Sequence, residues 1–180
     1  RVFRSLDVWR HMEREATPIR RIHVSEQGRF GTARIDAAEQ GLEALGYVLP
    51  NRVIGAGLWE GLRSCPGVEL IAPARAVGSE FAGDLRVLVV ERDGAEQRIP
   101  ARLVVAADGA RSLVREQAGI ESDHWAYGQT AIIATVTTQR FHAHVAYERF
   151  TPEGPIAVLP LAEGRCGIVW TRRPEEAARL

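Results

Sequence analysis

The chain has 180 residues and carries 23 basic and 23 acidic side chains, so its formal net charge is zero. That length suits one or at most two domains and buries a real core, while the charge balance gives no reason to expect nucleic acid or an anionic surface as a bulk partner. Every basic residue is arginine, which reads as a mark of genome composition rather than of function. Cys65 and Cys166 are too few and too far apart for a zinc site or a disulfide framework, in keeping with a reducing, cytoplasmic setting. No apolar run approaches the roughly 20 residues of a membrane span, and no signal peptide is visible.

In chain order, Phe3, Leu6 and Trp9 follow helical spacing, and Pro18 ends that helix. Ile19–Val24 and Phe30–Ile35, joined across Gly28, predict a β-hairpin. Asp36–Leu45 reads as a short helix capped by Asp36 and stopped near Gly46. Asn51 is a good N-cap for a helix over Arg52–Ser64. Its stripe is Ile54, Leu58 and Leu62, with Gly57 and Gly61 on another face for close packing. The string Gly55–Gly61 (GAGLWEG) is not a dinucleotide loop, since it lies inside a helical pattern, follows no strand and has the wrong final spacing. Val68–Ala72, Arg75–Val77, Leu85–Glu91 and Gln97–Pro100 predict strands joined by tight turns at Gly83-Asp84 and Asp93-Gly94.

The stretch Arg102–Gly119 organises the rest. Leu103, Val104 and Val105 form a continuous apolar run, expected of a strand buried on both faces. Asp108-Gly109 breaks it, and Ala110–Ala118 reads as a helix closed by Gly119. Open α/β sheets place ligands at such a carboxyl end, where backbone N–H groups and the helix dipole converge. An Asp-Gly turn alone says little, and a simpler reading makes Asp108 a helix cap with Arg115 on a solvated face.

After Gly119 the texture changes to strands at Thr130–Thr138, Val145–Phe150, Pro155–Leu161 and Arg165–Thr171, an antiparallel sheet. His142 and His144 flank Ala143 on one face without a third ligand, so a solvated edge is expected rather than a metal site. Ile156–Leu161 is apolar at every position, where a sheet with one wet face alternates. Its second face is covered either by a helix or by a hydrophobic pocket, which would take Ile156, Val158, Pro160, Ile168 and Trp170.

The run from Arg102 through Asp108-Gly109 to Arg111, Ser112, Val114 and Arg115 resembles the Asp-Gly fingerprint of the class A flavoprotein aromatic hydroxylases. Within that group, HVSEQGRFGTARIDA, NRVIGAGLW, YGQTAIIATVTT, AYERFTPEGPIAVLPL and GRCGIVWT resemble the 2-octaprenyl-6-methoxyphenol hydroxylases of ubiquinone biosynthesis, across nearly the whole chain. The resemblance implies an α/β fold: part of a p-hydroxybenzoate hydroxylase-like FAD-binding domain (residues 1–17 and 46–120) with an antiparallel substrate sheet (18–45 and 121–180). It implies FAD contacts at Asp108, Gly109, Arg111, Ser112 and Arg115, and at Asn51 and Arg52 where a helix runs beside the flavin. NAD(P)H or another reductant would reduce the flavin, and a polyprenylated phenol would be hydroxylated; no catalytic side chain is assigned.

The chain opens inside a helical pattern and closes on RRPEEAARL, so it is expected to be an internal piece of a longer protein. The family's GxGxxG unit would precede it and its GD motif would follow. Such a piece is expected to be inactive and not to retain FAD. Contact with other ubiquinone-biosynthesis proteins, peripheral contact with a membrane and self-association through an open strand edge all stay open. So do two other functions: a different flavin ring hydroxylase, or a non-catalytic domain binding a hydrophobic ligand or partner.

Overall fold

The computed structural model describes residues 2–179. Along the chain come helix α1 (Val2–Ser5), strands β1 (Thr17–Ile19), β2 (Arg21–Glu26), β3 (Thr32–Asp36) and β4 (Gly46–Val48), and helix α2 (Asn51–Arg63). Strands β5 (Arg75–Ala82), β6 (Leu85–Arg92) and β7 (Ala95–Ala101) and helix α3 (Leu113–Gln117) follow. Strands β8 (Thr130–Thr137), β9 (Val145–Phe150), β10 (Ile156–Pro160) and β11 (Arg165–Arg172) and helix α4 (Pro174–Ala177) complete the chain. The chain divides into two compact units: residues up to Pro66 together with those from Ala126 onward, and the segment Gly67–Trp125.

The first unit is built on a six-stranded sheet in the order β3-β2-β9-β10-β11-β8. Neighbours run antiparallel except β2 and β9, which are parallel and so bring the early hairpin onto the later strands. The expected antiparallel sheet is present, with that one parallel pair added. Beside it, β1 pairs with β4, and a small core gathers Val8, Met12 and Val53 with Phe3, Leu49 and Leu58 against it. Gly57 and Gly61 make this packing close: a Cβ on Gly57 would lie 2.7 Å from Met12 Cγ, and one on Gly61 would strike Val8 Cγ1.

Several expectations for this unit need correction. The first helix stops at Ser5, because Asp7 turns the backbone left-handed (φ 55°), and only 3-10 turns follow at Trp9–His11 and Glu13–Glu15. Asp36–Leu45 is not a helix. Asp36 does accept the Ala38 N–H (3.0 Å), but Gly41 at φ 65° ends the structure after the single turn Ala38–Gln40. Asn51 lies inside the first turn of α2; the cap position is Pro50, which offers no side-chain acceptor. The inward face of α2 carries Val53 and Gly57, whereas Leu62 of the predicted stripe is 43% exposed. The glycines let the neighbouring chain come closest, and that contact decides which face is buried.

The second unit is a three-stranded meander, β5-β6-β7, with α3 packed on β5. The Asp93-Gly94 turn has left-handed backbone at both residues (φ 53° and 78°), as a tight hairpin turn requires. Val68–Ala72 forms no strand; Val68 and Leu70 stay 46% and 42% exposed, without a paired neighbour among the described residues. Residues 103–107 are not a strand either, and Leu103 and Val105 are 78% and 77% exposed. An apolar strand exists by virtue of its hydrogen-bonded neighbours, and none lies beside this segment among the described residues.

Candidate functional site

In the second unit the Asp-Gly turn is tied to the start of α3. The helix begins at Leu113 rather than Ala110, and its N-cap is Ser112, whose Oγ accepts the Arg115 N–H at 3.1 Å. Asp108 Oδ2 accepts the Leu113 N–H at 3.1 Å, so the carboxylate reaches over the cap to a second helix-start donor. Arg115 closes the turn by donating from Nη2 to the Ala110 carbonyl at 2.6 Å. The Ser112 hydroxyl beside Asp108 and the backbone N–H groups at the helix start hold its carboxyl below the usual carboxylate range, against a smaller opposing effect of burial. Gly119, at φ 67°, ends the helix as expected.

Asp108, Gly109, Arg111, Ser112 and Arg115 therefore share one turn-and-helix start. Sequence reading missed how the work is divided: Ser112 is the cap, and Arg115 braces the loop instead of standing on a solvated face. The signal was present in Ser112 followed by an apolar pair, Leu113-Val114. Gly109 is exposed with φ 83°, and a Cβ there would meet nothing within 4 Å, so the backbone lies open to a ligand. Arg111 is exposed and forms no ion pair among the described residues. A cavity of about 610 Å³ adjoins the turn, walled by Phe81, Leu103, Val104, Gly109, Val114 and Ile120.

This donor set fits a dinucleotide in a specific way. Arg111 suits a phosphate. Asp108 is ionised and accepts only, so it suits a hydroxyl or N–H donor and repels a phosphate. The Leu113 and Arg115 N–H groups are already used within the chain, so a phosphate would find its donors elsewhere.

The other named residues lie in the first unit. Asn51 and Arg52 are exposed at the start of α2, where Arg52 Nη2 pairs with Glu15 Oε2 at 2.6 Å. Register aligns Ile156 with Trp170, Val158 with Ile168 and Pro160 with Cys166, so Ile156, Val158, Pro160, Ile168 and Trp170 share one sheet face. At one end of that face Pro160 and Cys166 are fully buried; at the other, Arg172 stacks on Trp170 at 4.5 Å.

His142 corrects a further expectation. It is 8% exposed, not solvated: Nδ1 accepts the His144 N–H at 3.1 Å and Nε2 faces the Leu161 carbonyl at 3.0 Å, which makes Nε2 the protonated nitrogen. Nothing in the sequence signalled this loop anchor. No group of three or more metal-ligating side chains occurs among the described residues.

The chain is 39% identical over 178 residues to the ubiquinone hydroxylase UbiL of Rhodospirillum rubrum, an alignment covering 97% of this chain and 40% of that protein. It is 35% identical to the 3-demethoxyubiquinol 3-hydroxylase of Escherichia coli, covering 99% of this chain and 45% of that one. The chain thus spans less than half the length of these relatives. Among solved structures, the p-nitrophenol 4-monooxygenase PnpA of Pseudomonas putida superposes with a TM-score of 0.80 at 19% identity, over 98% of this chain and 47% of that one. That likeness carries the fold. The family model described as an FAD binding domain matches residues 1–179, and the chain belongs to that FAD-binding family.

Proposed function

We propose that this chain is part of an FAD-dependent monooxygenase that hydroxylates a polyprenylated phenol in ubiquinone biosynthesis. The observation that carries the reading is the match of an FAD-binding family model from end to end, joined to an Asp-Gly turn whose donors and acceptors suit part of a dinucleotide. The names of the two relatives quoted above support the substrate class.

Bound FAD supplies the redox chemistry, taking electrons from NAD(P)H or another reductant and activating O₂ so that one oxygen atom enters the ring. The chain's own residues bind and orient. Arg111 would hold a phosphate of the cofactor and Asp108 would accept from one of its hydroxyls, while Ser112 and Arg115 keep the turn in shape. Asn51 and Arg52 would meet the flavin from the start of α2. Residues 1–17 and 46–120 contribute to the flavin domain, and 18–45 with 121–180 form the substrate sheet. The apolar hairpin β10–β11 borders the substrate and excludes water from the reacting ring. A polyprenylated substrate resides in a membrane, so the working position is peripheral to one; no helix among the described residues is long and apolar enough to cross it.

The test is the protein expressed from its complete reading frame, supplied with NAD(P)H, O₂ and a polyprenylated phenol. The expected result is a bound flavin spectrum and a product heavier by one oxygen derived from O₂. Hydroxylation of tailless phenols alone would point to a different flavin ring hydroxylase. A flavin-free protein that leaves every phenol unchanged would refute the proposal.

A further inference from the structure

Resting on the reading above, we infer that His142 is a positioning residue. It fixes the apolar hairpin β10–β11, which borders the substrate ring, against the β4–α2 corner from which Asn51 and Arg52 would meet the flavin.

The link is a chain of hydrogen bonds through one short loop. The connection from β8 to β9 ends in Phe141-His142-Ala143-His144, with Ala143 and His144 both in left-handed backbone (φ 49° and 59°). Non-glycine residues hold that conformation only where their surroundings over-determine it. His142 Nε2 donates to the Leu161 carbonyl just past β10 (3.0 Å), and its Nδ1 accepts the His144 N–H (3.1 Å). The His144 ring donates from Nδ1 to the Pro18 carbonyl in β1 (3.2 Å). The His144 carbonyl accepts the Arg20 and Arg21 N–H groups (2.9 and 3.3 Å). Pro18 pairs with Tyr47, and Thr17 with Val48, across β1–β4. Val48 ends β4, and Leu49-Pro50 leads straight into Asn51.

The chemistry of the two ends explains why an imidazole stands here. The Leu161 and Pro18 carbonyls both accept, so neither can bond the other. An imidazole with its proton on Nε2 offers a donor to one side and an acceptor to the other, across a rigid ring. The His142 ring is buried and packs against Phe141 at 4.3 Å between centroids, so it has little room to turn. Ring hydroxylation depends on such placement, since an error of about 1 Å between reacting groups costs roughly a hundredfold. When the ring is misplaced, NAD(P)H, a proton and O₂ give NAD(P)⁺ and H₂O₂. When it is placed, one oxygen atom enters the ring and the other leaves as water.

The experiment uses the protein expressed from its complete reading frame. His142→Asn keeps an acceptor where Nδ1 stands and removes the donor to Leu161, whereas His142→Gln keeps a donor that reaches Leu161. In the flavin-free protein, amide exchange at Leu161 and in β1 and β4 is expected to quicken in the Asn variant and to keep the wild-type rate in the Gln variant. In the flavin-loaded protein, product formed per reductant consumed is expected to fall about tenfold with Asn. H₂O₂ makes up the difference, KM for the phenol changes little, and Gln restores the yield. Unchanged exchange, an unchanged product yield or a Gln variant as poor as Asn would overturn the role. So would a loss of thermal stability with full product yield, which leaves His142 a loop anchor only. If the Asn variant does not fold, His144→Phe, which cuts the Pro18 end of the link, takes the same measurements with the same expected outcome. A wild-type protein that neither binds flavin nor hydroxylates refutes the proposed function and this role with it. A variant that hydroxylates with the wild-type yield refutes this role alone.

Discussion

Two apolar stretches of this molecule read alike and end differently. Ile156–Pro160 in the first unit lies between β9 and β11, hydrogen-bonded on both sides, with Pro160 fully buried. Leu103–Val105 in the second unit is as apolar, yet its backbone joins no ladder and Leu103 and Val105 are largely exposed. Apolar composition states a need for cover; only partner strands meet it. The first stretch finds hydrogen-bonded partners within the chain along both of its edges. The second ends at the Asp-Gly turn with Leu103 and Val105 largely exposed.

Glycine substitutions sharpen the contrast most strongly. Gly154 has φ 134°, and a Cβ there would strike the Thr171 carbonyl oxygen in the backbone of β11. Gly154→Ala is expected to cost about 3 kcal/mol, through backbone strain and forced displacement of a strand. Gly109 has φ 83° but open space around its missing Cβ. Gly109→Ala should cost only about 1 kcal/mol, the price of left-handed backbone alone. Denaturant unfolding of the two variants side by side checks this, and equal losses would break the distinction between a packed unit and an open turn.

A smaller effect is expected within the first unit. Gly61 faces the stiff β-branched Val8, whereas Gly57 faces Cγ and Cε of the unbranched Met12. Gly61→Ala should destabilise by about 1–2 kcal/mol, overpacking outweighing the gain in helix propensity. Gly57→Ala should be closer to neutral. Thermal unfolding that reverses this order would show that α2 meets its neighbours differently.

The smallest effect is on pH. The folded pKa of Asp108 is lowered, so the stability it lends the turn is fully present above the ordinary carboxylate value of about 3.9. It is lost as pH falls through the lower folded value. Amide exchange at Leu113, whose N–H Asp108 accepts, should quicken across that acid window while amides of β10 and β11 keep their protection. Asp108→Asn should remove the dependence. A Leu113 amide indifferent to both changes would leave Asp108 without a part in ordering the turn.

How much was legible follows the same division. Gly28, Gly83-Asp84 and Asp93-Gly94 announced their hairpins, because tight turns need those residues at those places, but the bounds shifted: Ile19 belongs to β1 rather than to the strand of Val24, and the strand expected to stop at Val77 runs on to Ala82. The closing role of Gly119 was legible for the same reason. Elements that depend on distant partners were misread. Leu103–Val105 and Val68–Ala72 have the composition of strands and lack the ladder. The buried face of α2 was decided by how closely Met12 and Val8 approach two glycines, which no periodicity within the helix reveals. Ending the helix after Ser5 required a left-handed Asp7, and non-glycine residues give little warning of that. At the candidate site the Asp108–Arg115 cluster was legible as a group, since it is local. The transfer of the cap from Asp108 to Ser112 was not, because both side chains are capable caps and only the three-dimensional turn chooses.

The proposed function puts FAD against the Asp-Gly turn of the second unit and not against strands β9, β10 and β11. The most direct measurement is hydrogen exchange on the protein expressed from its complete reading frame, with and without bound FAD. FAD is expected to protect the amides of residues 104–111 and to leave those of β9, β10 and β11 unchanged. Exchange at 104–111 that is the same in both states, in a protein carrying stoichiometric flavin, would contradict it.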